Sequence, residues 1–277
     1  MLGRLLKHEF KATSSYYIPV IIAMVLLSLM LKLSFLINSD SIFLSTEIES
    51  FSNIVQGVLL LIYIIVISGS FFLSIFFIAR RFYHNLFGDE GYLMHTLPVS
   101  GSQHLNSKLI CSFVWNLILI VLALLSFFIL FSDNETFSIY SYLISILINE
   151  IKALEISAWI TGLFITELIV MIPVGILCSI LTLYVSIAIG HHFLSSHRFI
   201  GAVLSYFVLS VINSTITSTI TNLTASAYNN PALVVNFTDL CNLLLTTLSV
   251  TLIITVIEMI AYYCITRYLL NNKLNLN

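Results

Sequence analysis

The chain has 277 residues, of which 59% are hydrophobic and only 9% are charged, and its mean hydropathy is +1.04. Values this far from those of soluble domains exclude a soluble enzyme and predict an integral membrane protein. The formal net charge is −2 at pH 7, and we expect no nucleic-acid partner.

Long apolar runs predict an all-α polytopic fold, because a lipid core of about 30 Å needs about 20 apolar residues for each helical crossing. The runs are apolar on every face, whereas transmembrane strands would alternate apolar and polar residues. The whole chain, 1–277, is predicted to form one transmembrane domain with spans at 16–37, 52–79, 109–131, 162–190, 199–220 and 242–265. The fifth boundary is the least defined, because "VINSTITSTITNLTASAYNNP" also fits a re-entrant piece or an ordered loop.

The Lys and Arg residues predict the orientation, because cationic flanks stay on the cytoplasmic side. With six spans, every Lys and Arg except Lys32 and Lys152 falls on the side of both termini. That side is therefore predicted to be the cytoplasm. The opposite loops carry most of the acidic residues: Asp40, Glu47, Glu49, Asp133, Glu135, Glu150, Glu155 and Asp239.

The amino-terminal segment 1–13, "MLGRLLKHEFKAT", has the spacing of an amphipathic helix. Its apolar face holds Leu2, Leu5, Leu6 and Phe10, and its polar face holds Arg4, Lys7, His8 and Lys11. The pattern fits a short helix that precedes the first span, or an ordinary cationic anchor.

The longest polar segment, 80–108, reads "RRFYHNLFGDEGYLMHTLPVSGSQHLNSK" and is predicted to be the main cytoplasmic loop. It can be a solvated connector whose apolar residues lie in the lipid interface. Its pattern also fits a short helix that docks a soluble partner. Gly88 and Gly91 flank an acidic pair, and Pro98 is placed to start a helix that Ser100 or Ser102 could cap.

Part of this loop, "EGYLMHTLPVSGSQHLNSK", resembles the first cytoplasmic loop of ABC-2-type permeases, the membrane subunits of bacterial ABC exporters, especially the small permeases of Firmicutes. The matching residues are Leu97, Pro98, Val99 and Ser100, followed by Lys108 at the start of the next span. The position after the serine is often basic in that family, whereas this chain has Gly101. The resemblance implies that 1–13 is the family's elbow helix and that 80–108 contains its coupling helix.

The resemblance further implies a subunit of an ATP-hydrolysing complex rather than an enzyme. The chain has no G-x-x-x-x-G-K-[ST] loop, so separate ABC subunits would bind ATP and Mg²⁺, and this chain would bind no cofactor or metal. The other partners implied are a second permease copy or paralogue and the lipid bilayer of the bacterial plasma membrane. Peptides, lipids and hydrophobic drugs all remain open as substrates. The residues expected to dock the ATP-binding subunit are Phe87, Asp89, Glu90, Gly91, Tyr92, Leu97, Pro98, Val99 and Ser100.

Three residues within the spans are candidates for a translocation pathway. Glu258 is expected at a depth where a charge costs about 2.5–3.5 kcal/mol, so it is either functional or reaches a headgroup or a polar neighbour. Glu167 lies near a span end, and Pro173 should loosen the fourth helix. These carboxylates leave two rival functions open, an ion-gradient-driven carrier or channel that uses Glu167 and Glu258, and a membrane scaffold or sensor that transports nothing.

Overall fold

A computed structural model of the chain describes residues 2–39, 46–87, 101–130, 134–153, 158–193, 197–228 and 237–272. Apart from a turn at Phe87 and a bend at His197, all of these residues are helical, which confirms the all-α prediction for the described ranges. The helices are α1 (Leu2–Ser39), α2 (Thr46–Leu86), α3 (Gly101–Leu130), α4 (Asn134–Ala153), α5 (Ala158–Phe193), α6 (Arg198–Tyr228) and α7 (Phe237–Asn272).

Six of these helices are long and apolar enough to cross a membrane: α1, α2, α3, α5, α6 and α7. Each predicted span falls within one of them, except that residue 131 lies outside the described residues. The fifth candidate span has the lowest mean hydropathy of the six, 1.8, yet α6 continues to Tyr228. Its hydroxyls bond back to carbonyls of the same helix, as in the 2.8 Å bond from Thr219 to Thr215, so its polar residues do not interrupt it.

The structure differs from the sequence prediction at three places. The segment 2–13 is not set off as a separate elbow helix, because α1 continues without a break into the first span. The loop predicted over 80–108 is shorter, since α2 continues to Leu86 and α3 begins at Gly101. Finally, α4 occupies a stretch between two spans for which the sequence predicted no element.

The described residues fall into two compact units. The first comprises Gly3–Ile78 and Val114–Ser145, and we call it the α1–α3 unit. The second comprises Met1–Leu2, Ala79–Phe113 and Ile146–Asn277, and we call it the α5–α7 unit. Helices α2, α3 and α4 contribute residues to both, and α1 contributes Leu2 alone to the second.

Apolar packing and side-chain hydrogen bonds hold the α1–α3 unit together. Leu31, Tyr63 and Leu130 form a buried cluster, and the Tyr63 hydroxyl lies 2.8 Å from that of Ser126. Lys32, one of the two cations that the orientation rule left on the outer side, donates to the Leu130 carbonyl at 3.5 Å. This position near the carboxyl end of α3 favours a cation, because the last carbonyls of a helix have no intrahelical partner.

Trp115 on α3 fixes the first half of α1. Its indole nitrogen donates to the Thr13 hydroxyl at 2.8 Å, and its ring stacks on Tyr17 with 4.8 Å between centroids. Phe10 approaches the same indole at 6.2 Å. Because positions 10, 13 and 17 share one face of a helix, this contact explains why the amino-terminal segment stays in line with the first span.

In the α5–α7 unit, α5, α6 and α7 pack against one another. Helix α5 is the most enclosed of the candidate spans. Of the residues in its most apolar 18-residue stretch, 39% are buried, against 6% for α6 and 0% for α7. Gly190 permits the close approach of α5 and α6, because a Cβ there would overlap the backbone of Gly201 and Ala202. Many large apolar side chains on all three helices stay exposed, as surfaces that face lipid require.

Candidate functional site: the two ends of the loop between α2 and α3

Most of the predicted docking segment lies outside the described residues. This holds for Asp89, Glu90, Gly91, Tyr92, Leu97, Pro98, Val99 and Ser100. The structure does describe Phe87 and Gly101, where the chain enters and leaves that segment. Both ends belong to the α5–α7 unit.

The first end of the loop is fixed by aromatic contacts with α5. Phe82 on α2 is fully buried and stacks on Tyr184 of α5, with ring centroids 3.9 Å apart and planes inclined by 10°. A turn follows α2, in which the Phe87 amide donates to the Tyr83 carbonyl at 2.9 Å. The Phe87 ring then lies 5.9 Å from Phe82 and 4.8 Å from His191. We call Phe82, Phe87, Tyr184 and His191 the aromatic cluster.

Phe87 is placed differently from the exposed docking anchor that the sequence predicted. Only 6% of its surface is accessible, so its ring packs in the interior of the protein. Its contacts with His191 bring the start of the loop to the last turn of α5. Phe87 can therefore position the docking segment, whereas an exposed anchor would have to come from residues 88–100.

The second end of the loop, where α3 begins, is held by contacts with α7. Tyr263 on α7 donates its hydroxyl to the Asn106 side chain at 2.9 Å. A Cβ on Gly101 would lie 2.7 Å from the Asn271 side-chain oxygen, so the two helices approach closely where α3 begins. Lys108, which belongs to the loop motif, is buried with 3% of its surface accessible. The motif lysine is thus part of the packed base of α3 rather than a solvated flank.

Tyr184 contacts both helices that flank the loop through one side chain. Its ring stacks on Phe82 at the end of α2, and its hydroxyl lies 3.0 Å from the Ser112 hydroxyl on α3. The side chain is fully buried. Displacement of the end of α2, or of α3 at Ser112, relative to α5 would therefore break a contact with Tyr184.

The histidines near the end of α5 do not form a common site. His191 is buried in the aromatic cluster, and its Nε2 makes no hydrogen bond within the described part of the chain. His192 and His197 are exposed. Among the described residues no group of three or more His, Cys, Asp and Glu side chains is arranged to hold a metal ion.

The two pathway carboxylates lie apart. Glu167 on α5 accepts a hydrogen bond from the Ser249 hydroxyl on α7, and its other oxygen is enclosed without a partner in the described residues. One oxygen of Glu258 is enclosed in the same way. The helical rise between positions 249 and 258 of α7 is about 14 Å, so the structure does not bring Glu167 and Glu258 into one site. Helix α5 runs through Pro173 as one element.

Sequence reasoning missed the residues that hold the helices on either side of the loop, namely Tyr184, Ser112, Asn106 and Tyr263. A weak signal was present, because Tyr184 and Ser112 carry polar groups inside apolar runs, and a buried Tyr hydroxyl usually finds a hydrogen-bond partner. The identity of that partner could not be read from the sequence.

Comparison with family models, with curated proteins and with solved structures finds no significant match to this chain.

Proposed function

We propose that the chain is the membrane-spanning permease subunit of an ATP-driven exporter in the bacterial plasma membrane. Two permease subunits would associate with two separate ATP-binding subunits, which bind ATP and Mg²⁺. The proposal starts from the resemblance of the "LPVS" segment and Lys108 to the coupling loop of ABC-2-type permeases. It agrees with the six helices long enough to span a membrane.

The contacts of Tyr184 are the structural observation that best supports this function. A permease must convert closure of its ATP-binding partner into movement of its spans, so the loop that touches the partner must be tightly joined to those spans. Tyr184 joins the end of α2 and the first half of α3, the two helices that flank this loop, to α5 by a ring stack and a hydroxyl contact. A solvated connector would need no such attachment.

The proposal assigns different tasks to the residues of the loop. Tyr92 and Leu97 are the expected exposed anchors, because interface energy concentrates in a few aromatic or apolar residues. Asp89 and Glu90 would orient the partner electrostatically, and Gly91, Val99 and Ser100 complete the docking segment. Pro98 would fix the turn into α3, which begins at Gly101. Phe87 would support the segment from the aromatic cluster.

The decisive experiment uses the chain together with the ABC ATPase that the proposal expects to be encoded in the neighbouring gene. Tyr92→Ala, and the double variant Asp89→Asn with Glu90→Gln, are inserted into membranes and the recovery of the ATPase is measured. Loss of an anchor costs about 1–3 kcal/mol, which weakens association roughly five- to 150-fold. The matched control is Glu47→Gln with Glu49→Gln, an acidic pair that the orientation rule places on the opposite side.

Two results would contradict this function. One is parental recovery of the ATPase and parental ATP turnover in both loop variants. The other is saturable binding of ATP by the isolated permease, because the proposal places ATP on the partner alone. Loss of the ATPase in the control pair as well would indicate general misassembly.

One observation favours the rival carrier, namely the enclosed carboxylate oxygens of Glu167 and Glu258. A carrier or channel driven by an ion gradient would use them to bind a proton or cation. In proteoliposomes that contain this chain alone, a potassium diffusion potential would then drive proton entry, which a pH-sensitive dye reports. The rival predicts that Glu258→Gln abolishes this flux, whereas a permease subunit without its ATPase should show none.

A further inference from the structure

Helix α4 exposes every one of its side chains whose burial the structure describes. Every side chain from Phe137 to Ile146 is exposed, and so are Ile148 and Asn149. Most of these side chains are large and apolar, including Phe137, which is 62% exposed. In water such a surface would favour association or aggregation, so something apolar must cover it.

The exposed residues of α4 are sorted by face. At about 100° per residue, Ser138, Ser141, Ser145 and Asn149 fall within an arc of about 80°. Among the side chains described between positions 137 and 149, the rest of the circumference is apolar or aromatic and carries Phe137, Ile139, Tyr140, Tyr142, Leu143, Ile144, Ile146 and Ile148. A broad apolar face with a narrow polar stripe is the pattern of a helix that lies in a membrane interface.

The position of α4 in the chain identifies what covers this face. Only residues 131–133 separate α4 from α3, and only residues 154–157 separate it from α5. Both neighbours are candidate membrane spans. Connectors this short reach at most about 10–14 Å, so α4 must stay close to the membrane boundary where α3 ends and α5 begins.

We propose that α4 lies along this membrane boundary with its apolar face among lipid acyl chains and its serine stripe toward water. The apolar run Phe137–Ile146 is ten residues long, about 15 Å, which is half the thickness of the hydrocarbon core. Tyr140 and Tyr142 are residues that favour the headgroup level. The inference does not depend on ATP-driven export, because it uses only the spans and the faces of α4.

The test places single nitroxide labels along α4 after Cys111, Cys178, Cys241 and Cys264 have been replaced by Ala. The full-length protein is reconstituted in vesicles of phosphatidylethanolamine and phosphatidylglycerol. Collisions with oxygen, which enters the acyl region, are compared with collisions with a water-soluble nickel chelate. The ratio of oxygen collisions to nickel collisions should be severalfold higher for labels at Ile139 and Leu143 than for labels at Ser138, Ser141 and Ser145. Along α4 this ratio should rise and fall with the helical repeat.

A second measurement keeps the native cysteines in case their replacement prevents folding. Ser141→Cys and Leu143→Cys are compared in intact cells with a membrane-impermeant maleimide, and the parental chain supplies the background. We expect labelling of Ser141→Cys and little or none of Leu143→Cys.

Three outcomes would overturn the proposal. Equal access of nickel to all positions would mean that α4 lies in water. Access of oxygen alone at every position, Ser141 included, would make α4 a seventh span and place the termini on opposite sides. Low access of both reagents at Leu143, with spin–spin broadening that disappears on mixing with unlabelled chain, would mean that a second copy covers the apolar face.

Discussion

The contact between Tyr184 and Ser112 should contribute measurable stability to the α5–α7 unit. The two hydroxyls lie 3.0 Å apart, and Tyr184 is fully buried. A hydrogen bond of this kind contributes about 0.5–1.5 kcal/mol net. Tyr184→Phe removes it while keeping the ring that stacks on Phe82, so the loss should stay near 1 kcal/mol. Tyr184→Ala removes the ring as well and should cost about 3–5 kcal/mol, the usual range for a buried aromatic truncation.

A double-mutant cycle isolates the hydroxyl contact. The parental chain, Tyr184→Phe, Ser112→Ala and the double variant are unfolded reversibly in mixed micelles by addition of sodium dodecyl sulfate, and their free energies of unfolding are compared. The coupling energy should be about 0.5–1.5 kcal/mol. Tyr206→Phe is the matched control, because Tyr206 lies in the same unit and is 44% exposed, and its loss of a hydroxyl should have little effect.

The cycle also defines the result that would refute this reasoning. If the two single changes add to within about 0.3 kcal/mol, the hydroxyls are not coupled, and Tyr184 does not join α3 to α5. An equal loss in Tyr206→Phe would show that any Tyr hydroxyl has this effect in the micelle. A small loss in Tyr184→Ala would contradict the aromatic stack with Phe82.

Three further predictions concern packing, the Glu167 carboxylate and topology. Gly190→Ala should lower the midpoint of thermal unfolding in detergent, because the new Cβ would overlap the backbone of α6 at a cost of about 1–3 kcal/mol or more. Gly175→Ala is the control and should be neutral or stabilising, since a Cβ at Gly175 would have no atom within 4 Å. Ser249→Ala should lower the free energy of unfolding by about 1–3 kcal/mol, because it leaves the Glu167 carboxylate unpaired. Ser179→Ala is the control and should cause no such loss, since the exposed Ser179 hydroxyl donates only to the Ile176 carbonyl. Equal losses in the two variants would argue against the hydrogen bond between Ser249 and Glu167. Reporter fusions should place Gly101 inside and Asn134 outside, and a cytoplasmic Asn134 would contradict the orientation drawn from Lys and Arg.

The sequence predicted the six long helices because their signal is local. Length and mean hydropathy within one run decide whether it can cross a membrane, and no knowledge of its neighbours is needed. The same reasoning did not predict helix α4, because its apolar run Phe137–Ile146 is too short to cross a membrane. Its serine stripe, which becomes evident only when the residues are placed on a helix, was the signal that could have identified it.

The candidate site was harder to predict, because its contacts join residues distant in the sequence. Because Asp89 and Glu90 follow it closely in the sequence, Phe87 resembles an exposed aromatic anchor on a polar surface. The residue that buries it, His191, lies more than a hundred positions later at the end of α5. Lys108 likewise has the character of a solvated flank until the packing of α3 against α7 is known. Local patterns therefore located the loop but not its attachment.

The attachment suggests how movement of the loop would reach the carboxylate region of the α5–α7 unit. The contacts with Phe82 and Phe87 at the first end of the loop, through Tyr184 and His191, occupy the second half of α5, whereas Glu167 lies in the first half. Pro173 stands between them and donates no hydrogen bond to the carbonyl of Ile169, so the helix is least restrained at that level. Displacement of the loop would carry the second half of α5 first, and Pro173 would let that half bend relative to the part that holds Glu167 against Ser249. Under the proposed function, α5 is therefore the helix through which the ATP-binding partner acts on the spans.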